Sequence, residues 1–549
     1  MHRIIAALAA LCLSLSALAG DFGWEPDLKE GARHPRHAGY VALHVVSNID
    51  PAAGFDGWSG LRVRRTDTAG RRYSLQGSRS GISTGQVFAG APPAGDYALV
   101  SLRGSNAFRG ITGSLAAPID AEFARFQVRA GQFSDLGTMV LGIEFAADPA
   151  ARNPFYRKFP LRQWRVASNP GLIRWLHAVH PWLARVRPAA QWPGSSGPKG
   201  LERAWLGSVA TPRRLDDGTL LLPDRLGQLR VLGAGQSWRM IDTGFSVDLL
   251  DALRFDGRLL VAGDRGLIAA ERPDGSFQAL EGVAGDLVVH RLGLAAGSAF
   301  ALGERPQEAQ LLRLDQAQAR WVVVARMGRR EGFRPASGRL GPPSLLFSSP
   351  SRAVHSNRAF VLAQEADGLR LALGTRRWQY RHADGALVAR GRGPALAGMS
   401  AQPNGVLVAR PADDGAVEDA LYSPDAGETW LLARRPSAPG NLSLALQRAP
   451  PYVDAQGAVF WVGPQLTRDE QLRIVATPES YLLKAREAGD RLGWEALRPM
   501  LPECSRLLGS LSRDAEWLVQ CDDLRILRST DRGAQWQTVW PSAPGPLPD

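Results

Sequence analysis

Ser423-Pro424-Asp425-Ala426-Gly427-Glu428-Thr429-Trp430 and Ser529-Thr530-Asp531-Arg532-Gly533-Ala534-Gln535-Trp536 share the pattern S-x-D-x-G-x-x-W. Each residue type suits a tight turn between two strands. Ser and Asp side chains bond the local backbone, Gly takes a positive φ, and the indole packs beneath the neighbouring sheet. Degenerate copies fill the intervals. Gly235-Gln236-Ser237-Trp238 keeps Gly and Trp, and Pro273-Asp274-Gly275-Ser276-Phe277 puts Phe at the anchor. Trp321 and Trp494 follow strand-like segments, and His382-Ala383-Asp384-Gly385 leads to Leu387.

The anchors 238, 277, 321, 387, 430, 494 and 536 are separated by 39, 44, 66, 43, 64 and 42 residues. Most steps match a four-stranded propeller blade of about 40–50 residues, and the two long steps imply inserted loops. Apolar strands recur once per interval: Thr219–Leu222, Leu259–Ala262, Ser298–Leu302, Ala359–Ala363, Val406–Ala409, Ala458–Val462 and Trp517–Val519. The spacing predicts an all-β region over 200–541, a propeller of seven blades within a range of six to eight.

The two complete motifs resemble the Asp-box (BNR repeat) of sialidase-like and related β-propellers. In that family the boxes are structural turns, which implies structural roles for Ser423, Asp425, Gly427, Trp430, Ser529, Asp531, Gly533 and Trp536. Sialidases bind a carboxylate with an Arg triad and use a Tyr–Glu nucleophile and an Asp acid/base. Their F/Y-R-I-P phrase has only a distant counterpart in Phe333-Arg334-Pro335, which lacks Ile and falls in mid-propeller. Tyr452 or Tyr481 with Glu479 are the residues on which an exo-glycosidase alternative rests. The favoured expectation is a non-catalytic propeller, similar in repeat architecture to photosystem-assembly factors. The long steps, about 330–395 and 439–500, carry extra loops, and Arg329, Arg330, Arg334 and Arg339 cluster in the first as a candidate contact surface.

Upstream, residues 37–145 alternate apolar and polar between Gly/Pro turns at Tyr40–Val46, Leu61–Arg64, Tyr97–Leu102, Phe126–Arg129 and Thr138–Ile143. Period-two alternation predicts an antiparallel β-sandwich. Pro93-Ala94-Gly95-Asp96-Tyr97 and Phe126-Gln127-Val128-Arg129-Ala130-Gly131 resemble phrases of carboxypeptidase-regulatory or transthyretin-like modules, which serve as spacers or platforms. Residues 150–199 read as a helical connector and linker. Asn169-Pro170 opens a helix, and Leu172, Trp175, Leu176, Val179, Trp182, Leu183 and Val186 form one apolar stripe. Residues 169–187 are therefore a candidate for peripheral membrane contact as well as for packing between domains.

Met1–Gly20 has a basic start, an apolar run and Ala17-Leu18-Ala19, the pattern of a cleaved secretory signal. Export to the periplasm or the extracellular space is expected, with cleavage near Ala19. Two cysteines then remain, Cys504 and Cys521, placed symmetrically about a Ser512-Arg513 turn. Across such a hairpin they face each other, and an oxidising compartment lets them bridge. The net charge is +12, and only four of the 65 basic residues are Lys. The Arg are scattered without stacking motifs, so nucleic acid is not an expected partner. A protein or anionic glycan of the cell envelope suits diffuse positive charge better.

Other motifs carry less. Gly81-Ile82-Ser83-Thr84-Gly85 fits the nucleophile elbow, but strand-like Gly/Pro-rich sequence follows where a helix is required. His34 and His37, and His177 and His180, lack the neighbouring ligands of a zinc site. Asp413-Asp414-Gly415 lacks the alternating oxygens of a calcium loop. No metal or cofactor is expected.

Overall fold

The computed structural model describes the strands, helices and adjoining turns named below. Residues 1–21, 144–160, 190–211, 329–359, 435–451 and 541–549, with short pieces of other loops, fall outside the description. The signal segment, the elbow motif and Arg329, Arg330, Arg334 and Arg339 thus lie outside the described residues. The chain divides into two compact units. One contains Met1–Glu144 and Pro160–Gly197, the other Pro198–Ala336 and Arg352–Asp549.

Among the described residues of the first unit, eleven strands form one sheet. Its main path runs Leu161–Val166, Gln132–Ile143, Tyr40–Ser47, Gln86–Gly90, Arg72–Arg79, Phe55–Arg65, Gly95–Phe108 and Ile111–Pro118. The expectation of a purely antiparallel arrangement is corrected. Tyr40–Ser47 and Gln132–Ile143 run parallel, with Tyr40 opposite Phe133. Alternation reports which residues share a face, not which direction the neighbour runs. Val41, Leu43, Val45, Leu61, Tyr97 and Met139 build the core on one face. At the turn into Gly95–Phe108, the Tyr97 hydroxyl donates to the Pro93 carbonyl at 2.8 Å.

The helix Pro170–Val179 covers the other face. Leu172, Trp175 and Leu176 are buried there with Ala42, Val87 and Phe133, and Trp182 meets Tyr40 edge-on with ring centroids 5.1 Å apart. Leu172, Trp175 and Leu176 of the apolar stripe are thus covered by the sheet, and Pro160–Gly197 groups with it in one compact unit. An amphipathic helix shows the same stripe whichever apolar surface covers it. Among the described residues no helix is long and apolar enough to cross a membrane.

The second unit contains, among its described residues, seven four-stranded antiparallel sheets, numbered here in chain order. Sheet one holds Arg213–Arg214, Leu220–Pro223, Gln228–Leu232 and Trp238–Asp242; sheet two Leu249–Phe255, Arg258–Gly263, Ile268–Glu271 and Phe277–Ala279. Sheet three holds Val288–Ala295, Ser298–Glu304, Glu308–Asp315 and Arg320–Gly328; sheet four Phe360–Glu365, Gly368–Leu373, Arg376–Arg381 and Leu387–Arg392. Sheet five holds Leu396–Ala401, Leu407–Pro411, Asp419–Ser423 and Leu431–Arg434; sheet six Tyr452–Val453, Val459–Arg468, Ile474–Ala485 and Trp494–Pro499. Sheet seven holds Cys504–Ser512, Glu516–Cys521, Ile526–Ser529 and Gln537–Trp540.

Each anchor residue stands at the entry to, or just before, a fourth strand. Trp238, Phe277, Leu387 and Trp494 begin theirs, Trp321 is the second residue, and Trp430 and Trp536 immediately precede theirs. The recurrent apolar segments are second strands, except Ala359–Ala363, which overlaps the first strand of sheet four.

Most consecutive sheets share cores. Leu229 and Val231 of sheet one pack with Val261 and Ala269 of sheet two. Leu253 and Leu260 of sheet two pack with Leu292 and Trp321 of sheet three, and Phe300 of sheet three with Leu371 and Tyr380 of sheet four. Val408 of sheet five meets Val453 of sheet six, and Phe460 of sheet six meets Trp517 of sheet seven. Leu518 and Ile526 of sheet seven then pack with Leu220 and Trp238 of sheet one. Four-stranded sheets that pack face to face in sequence order, the last against the first, are the architecture of a β-propeller.

Candidate functional site

The two complete turns have the same internal chemistry. The Ser423 hydroxyl donates to Asp425 Oδ1 at 2.7 Å and accepts the Gly427 N–H at 2.7 Å. The Ser529 hydroxyl donates to Asp531 Oδ1 at 2.8 Å and accepts the Gly533 N–H at 2.7 Å. Each Asp then accepts the backbone N–H four residues on, from Thr429 at 2.9 Å and Gln535 at 2.8 Å. Gly427 and Gly533 hold φ of 90° and 84°, a left-handed conformation that glycine adopts without strain. Both turns join the third strand of a sheet to its fourth. Their carboxylates are consumed by the fold.

The seam between sheets four and five is polar where most of the others are apolar. Arg370 binds Glu365 through Nε at 2.8 Å, and reaches across to the Asp425 carbonyl at 2.9 Å and Glu428 at 3.1 Å. Arg377 donates to the Glu428 carbonyl at 2.9 Å. Two guanidinium groups of sheet four thus hold the turn of sheet five. At the seam between sheets one and seven, Arg230 pairs with Asp224 at 2.7 Å with both side chains buried, and lies 5.3 Å from the centroid of Trp540. Burial pushes the Asp224 carboxyl up, against the pull of Arg230.

The first strands of sheets two, three and four lie against one another, so first strands form the inner edge of the stack. Their inward N–H and C=O groups have no next strand to bond. Asp251 and Arg213 occupy such groups on Leu292. Asp251 Oδ2 accepts the Leu292 N–H at 2.8 Å, and Arg213 Nη1 donates to the Leu292 carbonyl at 2.9 Å. Arg213 Nη1 also meets Asp251 Oδ2 at 2.9 Å, so one ion pair ties sheets one, two and three together. Asp251 is buried, whereas the Arg213 side chain keeps 32% of its surface exposed. Arg291, the residue before Leu292, is half-buried. Burial pushes its guanidinium down and adjacent Arg213 adds to this, while Asp251 opposes them. Two guanidinium groups around one carboxylate leave this edge with a surplus positive charge.

Sequence reasoning missed Arg213, Asp251 and Arg291. A signal was present: Leu249-Leu250-Asp251-Ala252-Leu253 and Val288-Val289-His290-Arg291-Leu292 put a charge inside an apolar strand, one repeat apart. The backbone repeats as well, because the pairing register shifts between Leu249 and Asp251 and between Val289 and Arg291.

Of the residues considered for hydrolysis, Tyr452 and Tyr481 have described side chains. Tyr452 is buried, with its ring 5.2 Å from Trp517 and 6.4 Å from Phe460. Tyr481 is half-buried on the third strand of sheet six, opposite Gly463 and Pro499. Glu479 lies on the same strand, and its side chain is outside the described residues. Cys504 and Cys521 are opposed in register and form the expected disulfide, which joins the first two strands of sheet seven. Among the described residues no group of three His, Cys, Asp or Glu gathers as a metal site.

No protein-family model and no curated protein matches the chain. Solved structures of propellers do resemble it. YCF48 from Cyanidioschyzon merolae is 11% identical with a TM-score of 0.32, over 54% of this chain and 86% of that one. YCF48 bound to D1 peptide is 10% identical with a TM-score of 0.33, over 60% and 87%. The Myceliophteria thermophila Cps50 (Swd1) β-propeller domain is 12% identical with a TM-score of 0.33, over 59% and 96%. Likenesses this distant leave the fold to be judged from the chain's own sheets.

Proposed function

We propose that this chain is an exported, non-enzymatic binding or assembly platform. In this reading the seven sheets are the blades of a closed Asp-box propeller, the first unit is a β-sandwich module, and the partner is an envelope protein or acidic glycan. The single observation that carries it is the inner edge of sheets one to three. There Arg213 and Asp251 bind the Leu292 backbone, next to Arg291. Positive charge on inner strands favours anionic partners, in keeping with the net charge of +12. The signal-like Met1–Gly20 and the Cys504–Cys521 disulfide support export through an oxidising compartment.

The mature protein is to be titrated against sialosides and a panel of acidic polysaccharides, with released sugar followed in parallel. The platform reading expects salt-sensitive retention of an acidic polymer and no product. Turnover that disappears in Tyr481→Phe overturns it in favour of a sialidase-like hydrolase.

A further inference from the structure

We infer that Arg213 and Arg291 form a site for a singly charged carboxylate at the inner edge of sheets one to three. The inference rests on the platform reading above and names the chemistry of what the rim takes. Three features on separate strands converge there. Arg213 spends Nη1 on Asp251 and on the Leu292 carbonyl, and its side chain is still one-third exposed at 32%. Arg291 adjoins Leu292, whose N–H is held by Asp251 at 2.8 Å. No described residue gives Arg291 a hydrogen bond or an ion pair, although burial has stripped part of its water. A partly desolvated guanidinium whose nearby carboxylate, Asp251, is already paired with Arg213 gains from an anion supplied by a ligand.

The charge count selects the anion. Two guanidiniums and one carboxylate carry a net +1, which one negative charge balances. A second charge would stand against buried Asp251 at short range. Guanidinium forks also match the two coplanar oxygens of a carboxylate. That group reaches the rim from two sources, the C-terminus of a peptide or the acid of a uronic sugar.

Calorimetric titration of the full mature chain tests this with four probes: N-acetyl-dialanine with a free C-terminus, its C-terminal amide, glucuronate and inorganic phosphate. Binding of the free peptide acid or of glucuronate, but not of the amide, is expected, and whichever acid binds identifies the source. Arg291→Gln is expected to weaken that binding at least about tenfold, the scale of a lost charged hydrogen bond, with an unchanged melting midpoint. Arg291→Lys keeps the charge without the fork and is expected to lose less. It also keeps the inference testable should the Gln variant not fold. The inference is overturned if neither acid binds, if phosphate binds more tightly than both, or if the Arg291 variants bind like the parent. Polymer retention that survives while the small acids fail to bind removes this site and leaves the platform. Acid binding without polymer retention does the reverse.

Discussion

The turns at 423–430 and 529–536 are built alike inside and held differently outside. Each lies against the preceding sheet. The turn of sheet five is held by charge, through Arg370 and Arg377 to Glu428 and the Asp425 carbonyl. The turn of sheet seven rests on hydrocarbon. A Cβ built on Gly533 would come within 3.2 Å of Leu482 of sheet six, and Trp536 joins the cluster of Leu482 and Val519. One eight-residue motif thus serves two kinds of seam. The motif specifies the turn, and the neighbouring sheet specifies how the turn is docked.

The largest separation between the two should come from Leu482→Ala. Leu482 is fully buried, and truncating such a side chain costs about 2–5 kcal/mol through lost transfer and cavity terms. Arg370→Met should cost less, about 1–2 kcal/mol, because hydrogen bonds to charged groups have modest net worth and Glu428 is largely exposed. Salt sharpens the contrast. Denaturant midpoints should show the Arg370 contribution shrinking between low and molar salt, with no such change for Leu482. Equal salt responses would mean that the seams are not of two kinds.

Sheet seven has a second fastening that sheet five lacks. Cys504→Ser with Cys521→Ser removes a cross-link spanning 17 residues, worth about 3 kcal/mol on the loop-entropy model. Amide exchange should then rise in Cys504–Cys521 and leave sheets two and three unchanged. Gly533→Ala should cost about 1–2 kcal/mol, because it places a Cβ at positive φ and presses on Leu482. A neutral outcome would show that the turn relaxes into another conformation.

What could be read from residues alone follows the range of the interactions. The box motifs were legible because Ser423, Asp425, Gly427 and Thr429 bond one another within seven residues of chain. The anchors were legible because each four-stranded sheet places one at or just before its fourth strand. The docking was not, since Arg370 meets Glu428 across 58 residues and no local pattern announces that pairing. Nor was the inner edge, where Arg213 reaches the Leu292 carbonyl across 79 residues. In the first unit the helix was legible and its cover was not, because Trp175 and Leu176 suit a sheet as well as a membrane. The parallel pairing of Tyr40–Ser47 with Gln132–Ile143 was hidden for the same reason, as side-chain period is blind to strand direction.

The smallest expected effect compares the two carboxylates themselves. Burial works upward on Asp425, but the Thr429 hydroxyl and N–H and the Ser423 hydroxyl outweigh it and hold its pKa below the ordinary value. The Gln535 N–H and the Ser529 hydroxyl do the same for Asp531. A carboxyl depressed on folding contributes stability that is complete above its unfolded pKa, about 3.9, and is lost as pH falls through the lower folded value. Both turns should therefore weaken only below about pH 4. Asp425→Asn is expected to flatten this acid limb more than Asp531→Asn, because Asp425 alone takes a hydroxyl proton at the fourth following residue, from Thr429 at 2.6 Å. Thr429→Ala should bring the two profiles together. Chemical-denaturation midpoints across the acid range decide the matter: an Asp425→Asn profile that overlays the parent would show that the charge of this residue does not hold the turn.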